Sequence, residues 1–360
     1  MLELPFHVVR RTAPSLAARA AAPLLAGVAM ALTLLACFAA LRLPPLQSLY
    51  TIFIEPLASA YGIGEWLLKS TPLMLCALGL ALGFRANVWN IGAEGQLTMG
   101  AIAGGGVALY MAPLLGPWGM PAMLLAGMLG GMLWAAIPAL LRTRFHTSEI
   151  LTSLMLVYVA QLLLAWLMHG RWQDPAGFNF PQSRAFDDAL ILPLLADGQR
   201  ATIALYGALG LAVIAWIFIR RSLAGYAMLV AGMAPAAARY AGFAENRSIW
   251  WGMLISGATA GLAGIAEVAG PIGRLQTSIS PGYGFAAIIV AFVGRLHPVG
   301  VVFAALLMSL LYLGGEAAQL TLGLPAAVTG VFQGLLLFYL LAADHFTGLR
   351  IVRRPARGLA

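Results

Sequence analysis

Residues 71–96 read TPLMLCALGLALGFRANVWNIGAEGQ: a charge-free apolar run, a dense polar cluster, then the start of a second apolar run. The run 71–84 is as hydrophobic as a membrane helix, but it falls short of the roughly 20 residues that cross a bilayer core. The cluster behind it gathers Arg85, Asn87, Asn90, Glu94 and Gln96. Irregular polar backbone at membrane depth survives only when buried in protein or lining a water-filled cavity, and ionisable groups there are costly. One reading is a broken helix beside a translocation path, with Asn90, Glu94 and Gln96 as its hydrogen-bonding groups. The other is a cytoplasmic loop in which Glu94 caps a helix or pairs with Arg85. The residues alone leave both open.

Outward from this stretch, the chain repeats the pattern. Apolar runs fall at 22–41, 71–84, 96–114, 121–141, 150–168, 201–219, 249–269, 283–294, 299–314 and 322–343, and only Glu267 places a charge in one of them. With 61% apolar and 9% charged residues over 360 positions, against roughly 25% charge in soluble chains, the composition excludes a soluble enzyme, a nucleic-acid binder and a disordered protein. The expected fold is an all-α polytopic membrane protein of about ten transmembrane helices, some short or broken. The membrane domain spans 22–343 between an N-terminal tail (1–21) and a C-terminal tail (344–360).

Orientation follows from basic residues, which concentrate on the cytoplasmic side. With the N-terminus inside and ten helices alternating, fifteen of the 21 bases fall inside and six (Arg42, Lys69, Arg171, Arg184, Arg200 and Arg274) outside. Both termini are then cytoplasmic, and the net charge of +8 reflects inner loops rather than nucleic-acid binding. Segments 43–68 and 169–200 become outer surfaces, and 220–248 an inner one.

A second interruption, Ser278-Ile279-Ser280-Pro281-Gly282-Tyr283-Gly284-Phe285, precedes the short run ending Gly294-Arg295-Leu296-His297-Pro298. Two short, Gly/Pro-interrupted segments in corresponding halves point to an inverted repeat, here over roughly 69–168 and 249–343. Tyr283 and Phe285 join Asn90, Glu94 and Gln96 as candidate pathway residues. Glu267 and Glu316 stand near outer run ends, where they either line an exit or meet interfacial water. Gln333 reads as an interhelical hydrogen bond. The pairs Gly100–Gly104, Gly127–Gly131 and Gly257–Gly261 allow close helix packing.

Several chemistries lack their residues. The one lysine, Lys69, follows Leu68, whereas a phosphate-binding P-loop needs Gly-Lys-Ser/Thr; any ATP driving this chain is hydrolysed elsewhere. His7, His146, His169, His297 and His345 are scattered, so no metal is expected. Cys37 and Cys76 read as isolated packing thiols. An intramembrane enzyme has no His pair or HExxH motif to stand on. An ion-coupled carrier using Glu94 as its coupling carboxylate remains the rival. Segment 220–248 contains Pro235 followed by an Ala-rich turn, the start of a short helix; it is either a docking helix or a solvated loop.

At these residues the sequence resembles the permease subunits of bacterial ABC importers for nucleosides and simple sugars, related to ribose and branched-chain amino-acid permeases. The resemblance rests on Phe84–Gln96, Ser148–Leu156, Gly232–Gly242 with Ile255-Ser256-Gly257 through Gly270, and Gly282–Phe285 through Gly300, in order over about 45–345. It implies an inner-membrane location, import of a nucleoside, nucleobase or simple sugar, and a second permease subunit. It further implies an ATPase with two nucleotide-binding domains that holds ATP and Mg, so that this chain carries no cofactor, and a substrate-binding lipoprotein outside. Gly232, Pro235, Ala237, Arg239, Tyr240 and Gly242 would form the coupling helix against the ATPase. Two departures are Met233-Ala234-Pro235, where the family often has Leu-Asn-Pro, and Val157, which offers no amide where the family usually has one.

Overall fold

In the computed structural model, residues 6–10, 16–347 and 349–353 are described. Their helices are α1 (Leu16–Ala40), α2 (Pro45–Phe53), α3 (Ala60–Arg85), α4 (Ala93–Tyr110), α5 (Ala112–Leu115), α6 (Gly119–Phe145) and α7 (Glu149–Met168). They continue as α8 (Ala204–Arg221), α9 (Leu223–Met233), α10 (Pro235–Tyr240), α11 (Glu245–Glu267), α12 (Tyr283–Val293), α13 (Pro298–Leu322) and α14 (Ala327–Thr347). The ten apolar runs fall mainly on these helices, 96–114 on α4 and α5 together and 322–343 mostly on α14. By length and composition alone, six described segments can cross a membrane: Ala60–Arg85, Gly116–Phe145, Glu149–Met168, Ala204–Arg221, Glu245–Ile272 and Pro298–Leu322.

Two expectations need correction. The run 71–84 is not a short element: α3 begins at Ala60, inside the expected outer segment 43–68, where Ser59 Oγ caps Gly62 N–H at 3.0 Å. Glu65 and Lys69 hid its first turns from a search for uncharged runs; the buried Glu65 is neutralised by Arg200 at 3.2 Å. Segment 220–248, read as either a docking helix or a solvated loop, holds two helices, α9 and α10. The tails pair with each other, β1 (Phe6–Arg10) antiparallel to β2 (Leu349–Arg353), the one exception to an all-helical fold among the described residues. Arg11, Arg354 and Arg357, counted toward the inner side, lie outside the described residues.

The chain forms two compact units, Met1–Glu55 with Gly314–Ala360, and Pro56–Leu313. In the first, α1 packs on α14, where Thr33 Oγ1 and Tyr339 Oη lie 2.5 Å apart. The exposed Cys37 is there, and Cys76 is buried in the other unit; both are free thiols. The second unit is built on α3, α4, α6 and α11. Here the three glycine pairs meet at one seam: Gly100 faces the backbone of Gly261, and Gly131 faces Gly257 and Gly261. Gly104 and Gly127 receive Ile265. Without hydrophobic drive between helices in lipid, such backbone approach supplies the van der Waals contact that holds them. α3 and α11 run antiparallel, Gly83 lying against Gly252 and Gly79 against Ser256 and Thr259.

A methyl at Gly261 would strike the carbonyl oxygen of Gly127 and the backbone of Gly131. Gly261→Ala is expected to cost about 1–3 kcal/mol of overpacking, read as a lower thermal unfolding midpoint in detergent. Gly207→Ala on α8, with nothing within 4 Å of the added carbon, is expected to leave the midpoint unchanged or higher; equal effects would contradict the seam.

Candidate functional site

Two helices begin inside the bundle rather than at its surface. α4 starts at Ala93 after segment 86–92, and α12 starts at Tyr283 after segment 273–282, which is bounded by left-handed glycines, Gly273 (φ 71°) and Gly282 (φ 96°). Each buried start exposes N–H groups that need acceptors. For α12, Ser280 Oγ accepts from Gly282 N–H (3.1 Å) and Tyr283 N–H (2.9 Å), and Glu94 Oε2 accepts from Gly284 N–H at 2.6 Å. A carboxylate at a helix N-terminus also meets the favourable end of the macrodipole. Gly284 admits this approach because any side chain would enter the backbone of Ala93 and Glu94. The N-termini of α4 and α12 therefore meet at Glu94.

Segment 86–92 is held by side chains from two other helices. Asn90 and Gln96 exchange amide hydrogen bonds: Asn90 Nδ2 donates to Gln96 Oε1 (2.8 Å), and Gln96 Nε2 donates to Asn90 Oδ1 (3.0 Å). Asn90 Nδ2 also donates to Ser256 Oγ on α11 at 2.7 Å, and Gly92 N–H donates to Asn90 Oδ1. On α7, Ser153 Oγ accepts from Ile91 N–H (3.2 Å) and Glu149 Oε1 from Trp89 N–H (3.3 Å), while Glu149 pairs with Arg142. Glu149 and Ser153 stand one turn apart on one helix face, which lets both clamp consecutive backbone of the segment.

Of the two alternatives for Glu94 as an internal partner, capping a helix and pairing with Arg85, the structure has the cap. Asn90 (1% exposed), Glu94 (3%) and Gln96 (1%) are buried, and their polar atoms are bonded within this chain. Arg85 is not the partner of Glu94; its Nε donates to Leu296 O at 2.8 Å. Tyr283 is buried edge-on to Tyr312, with ring centroids 5.5 Å apart, whereas Phe285 is 39% exposed. Val157 is buried against Gly95, so in this chain that position packs two helices. Glu267 faces Lys69, Arg200 and Glu65, and Glu316 is exposed. Ser153, Ser256 and Ser280 were missed as partners: a serine in an apolar run carries no sign of what it bonds.

Below the junction, Phe84, Trp89 and Phe292 form an aromatic group with centroids 5.2–5.8 Å apart. Burial first, then the guanidinium groups of Arg85 and Arg220, push the imidazole of His297 below its ordinary pKa, so it stays neutral at neutral pH. Farther along the chain, α10 is exposed except for Ala238, with Tyr240 97% and the neighbouring Met233 78% exposed. Pro235, Ala237, Arg239 and Gly242 are exposed with them, and Gly232 is half-buried.

The chain is similar in sequence to known membrane transport proteins. Residues 62–341 match the family described as the branched-chain amino acid transport system / permease component. The glucose ABC transporter permease protein TsgB13 of Haloferax volcanii is 37% identical over 323 residues, covering 87% of this chain and 84% of that protein. The guanosine ABC transporter permease protein NupP of Bacillus subtilis is 32% identical, over 78% of this chain and 80% of that protein. The nucleoside ABC transporter permease protein NupB of Lactococcus lactis is 29% identical, over 82% and 83%. No solved structure matches the chain. The chain belongs to this permease family. It is a multi-pass membrane protein, the permease subunit of an ABC importer and not an enzyme; ATP hydrolysis falls to a separate ATPase.

Replacing Glu94 separates its contributions. Glu94→Leu is expected to lower stability by about 1–3 kcal/mol, the cost of leaving the buried Gly284 N–H without its acceptor, seen as an earlier unfolding midpoint. Glu94→Gln, which keeps an acceptor, is expected to recover at least half of that loss. Equal midpoints for wild type and Glu94→Leu would show that the capping contact carries no weight.

Proposed function

We propose that this chain imports a nucleoside or nucleobase across a bacterial inner membrane, together with a second permease subunit, a two-domain ATPase that holds ATP and Mg, and an extracytoplasmic substrate-binding lipoprotein. The observation that carries the substrate reading is the outward face of α12. Phe285 is exposed and Ile288, Ile289 and Phe292 are half-exposed at helical spacing, with Trp89 (36% exposed) beside Phe292. The exposed Thr277 and Ser278 precede this face. Aromatic rings offer a planar base a stacking surface, and hydroxyls offer its polar edge partners. On this reading Phe285 lines the pathway, while Asn90, Glu94, Gln96 and Tyr283 hold its wall in shape. A simple sugar is the second reading, favoured by the glucose permease among the relatives.

The topology we favour has ten membrane helices with both termini cytoplasmic. The excess of inner arginines supports it, and so does the pairing of β1 with β2, which brings the two ends of the chain to one side. The successions α3–α4 and α11–α12, each a long helix, an irregular segment and a helix with a buried start, support an inverted repeat. Residues 232–242 serve as the coupling segment. Their exposure supports this, and a cavity of about 480 Å³ lined by Met228, Phe243, Arg247 and Trp251 opens beside them. Closure of the ATPase domains then acts by binding one access state of the permease better than the other.

Pull-down of the tagged protein from its native membrane in mild detergent is expected to recover an ATPase with two P-loops, and scrambling Pro235–Arg239 in a chain that still inserts is expected to lose it. A stable complex without an ATPase would instead favour the ion-coupled carrier. In proteoliposomes of the assembled transporter, uptake of labelled guanosine is expected to be displaced by other nucleosides and not by glucose; the reverse pattern would install the sugar reading.

A further inference from the structure

The turn between α12 and α13 is strained in a way its own sequence does not explain. Arg295 and Leu296 are consecutive residues with side chains, yet both adopt left-handed backbone (φ 54° each). Such conformations are costly for L-residues and persist only where surrounding contacts impose them. The local bonds from Arg295 N–H to Phe292 O and from Leu296 N–H to Ala291 O, each 2.8 Å, close the turn. The carbonyl of Leu296 is then taken by Arg85 Nε at 2.8 Å, across 211 residues of sequence.

The same residue is held from its other side. Arg85 ends α3 and opens segment 86–92, and its own carbonyl oxygen lies against Gly232 so closely that no side chain fits there. Gly232 sits in the last turn of α9, just before Pro235 starts α10. Around Arg85, Phe84 and Trp89 stack on Phe292 at the end of α12. One residue thus touches the element leading into α10, the segment leading into α4, and the turn that terminates α12.

We propose that Arg85 is the positioning residue that links α10 to α12: its carbonyl bears on Gly232, and its guanidinium fixes the strained Arg295–Leu296 turn. The proposal rests on the reading of 232–242 as the ATPase-facing segment. Displacement of α10 reaches Arg85 through backbone contact, which cannot yield without moving the chain, and Arg85 carries it to the pathway helix through a charge-assisted hydrogen bond. Arg85 touches neither substrate nor nucleotide.

The test uses the complete transporter in proteoliposomes, reading substrate imported per ATP hydrolysed. Arg85→Met keeps the apolar stem and removes the donor. It is expected to co-purify with the ATPase at wild-type stoichiometry and to import roughly tenfold less substrate per ATP, the weight of one charged hydrogen bond. Arg85→Lys restores a cationic donor and is expected to recover most of the ratio, which a merely space-filling role would not require. Gly232→Ala, which pushes on the Arg85 carbonyl and leaves the guanidinium intact, is expected to lower the ratio similarly, and it carries the test alone should Arg85→Met fail to insert. A wild-type ratio in Arg85→Met, or in Gly232→Ala where that variant stands alone, would overturn the proposal, as would an Arg85→Lys ratio no better than that of Arg85→Met. If scrambling Pro235–Arg239 left the ATPase bound, the docking reading would fall and take this proposal with it. Loss of the ATPase on scrambling, with coupling intact in Arg85→Met, would sink the proposal alone.

Discussion

The structure depends on the carboxylate of Glu94 standing at the N-terminus of α12. A helix that begins inside protein leaves N–H groups without water, and each must find an acceptor or cost free energy comparable to a lost hydrogen bond. Ser280 serves the first of these groups and Glu94 the next, from a different part of the chain. That contact requires a glycine at 284, places the start of α4 against the start of α12, and commits segment 86–92 to an irregular path. The amide pair of Asn90 and Gln96, with Ser256, then satisfies the polar groups of that path. A carboxylate in a membrane protein is expensive; here the helix dipole and hydrogen bonds reduce that cost.

How much of this the sequence discloses follows from the range of each interaction. Apolar runs and small-residue pairs are local, so the helices and the glycine faces that let them pack closely were legible, but not which faces meet. So was the short helix begun by Pro235. The start of α3 was hidden because Glu65 breaks the apolar pattern, and its neutralisation by Arg200 is a tertiary fact. The pairing of β1 with β2 joins opposite ends of the chain, beyond any local signal. At the site, the residue types were legible and the partners were not. Whether Asn90, Glu94 and Gln96 face a pathway or cap and brace helices stayed open, because the sequence cannot show Gly284 or Ser256 arriving beside them.

This division shapes the functional reading. A permease must keep its pathway wall intact through repeated changes of access, and polar groups already bonded within the chain supply rigidity rather than recognition. On the proposed reading, recognition passes to the exposed face of α12, with Phe285 and its apolar neighbours, and to the hydroxyls that precede it. On the same reading, energy enters at the exposed α10, where the separate ATPase docks. The elements between those two regions are few and closely packed: Gly232, Arg85, segment 86–92 and the turn closing α12. Small displacements become changes of access where such packing is bistable rather than continuously deformable.

The most direct measurement is an electron cryo-microscopy structure of the assembled transporter in a lipid nanodisc. The account predicts that the starts of α4 and α12 lie within the lipid-embedded density. It also predicts that the Glu94 carboxylate remains within hydrogen-bonding distance of Gly284 N–H whether or not nucleotide is bound. A Glu94 side chain turned into a water-filled cavity, with α12 capped by another group, would contradict it.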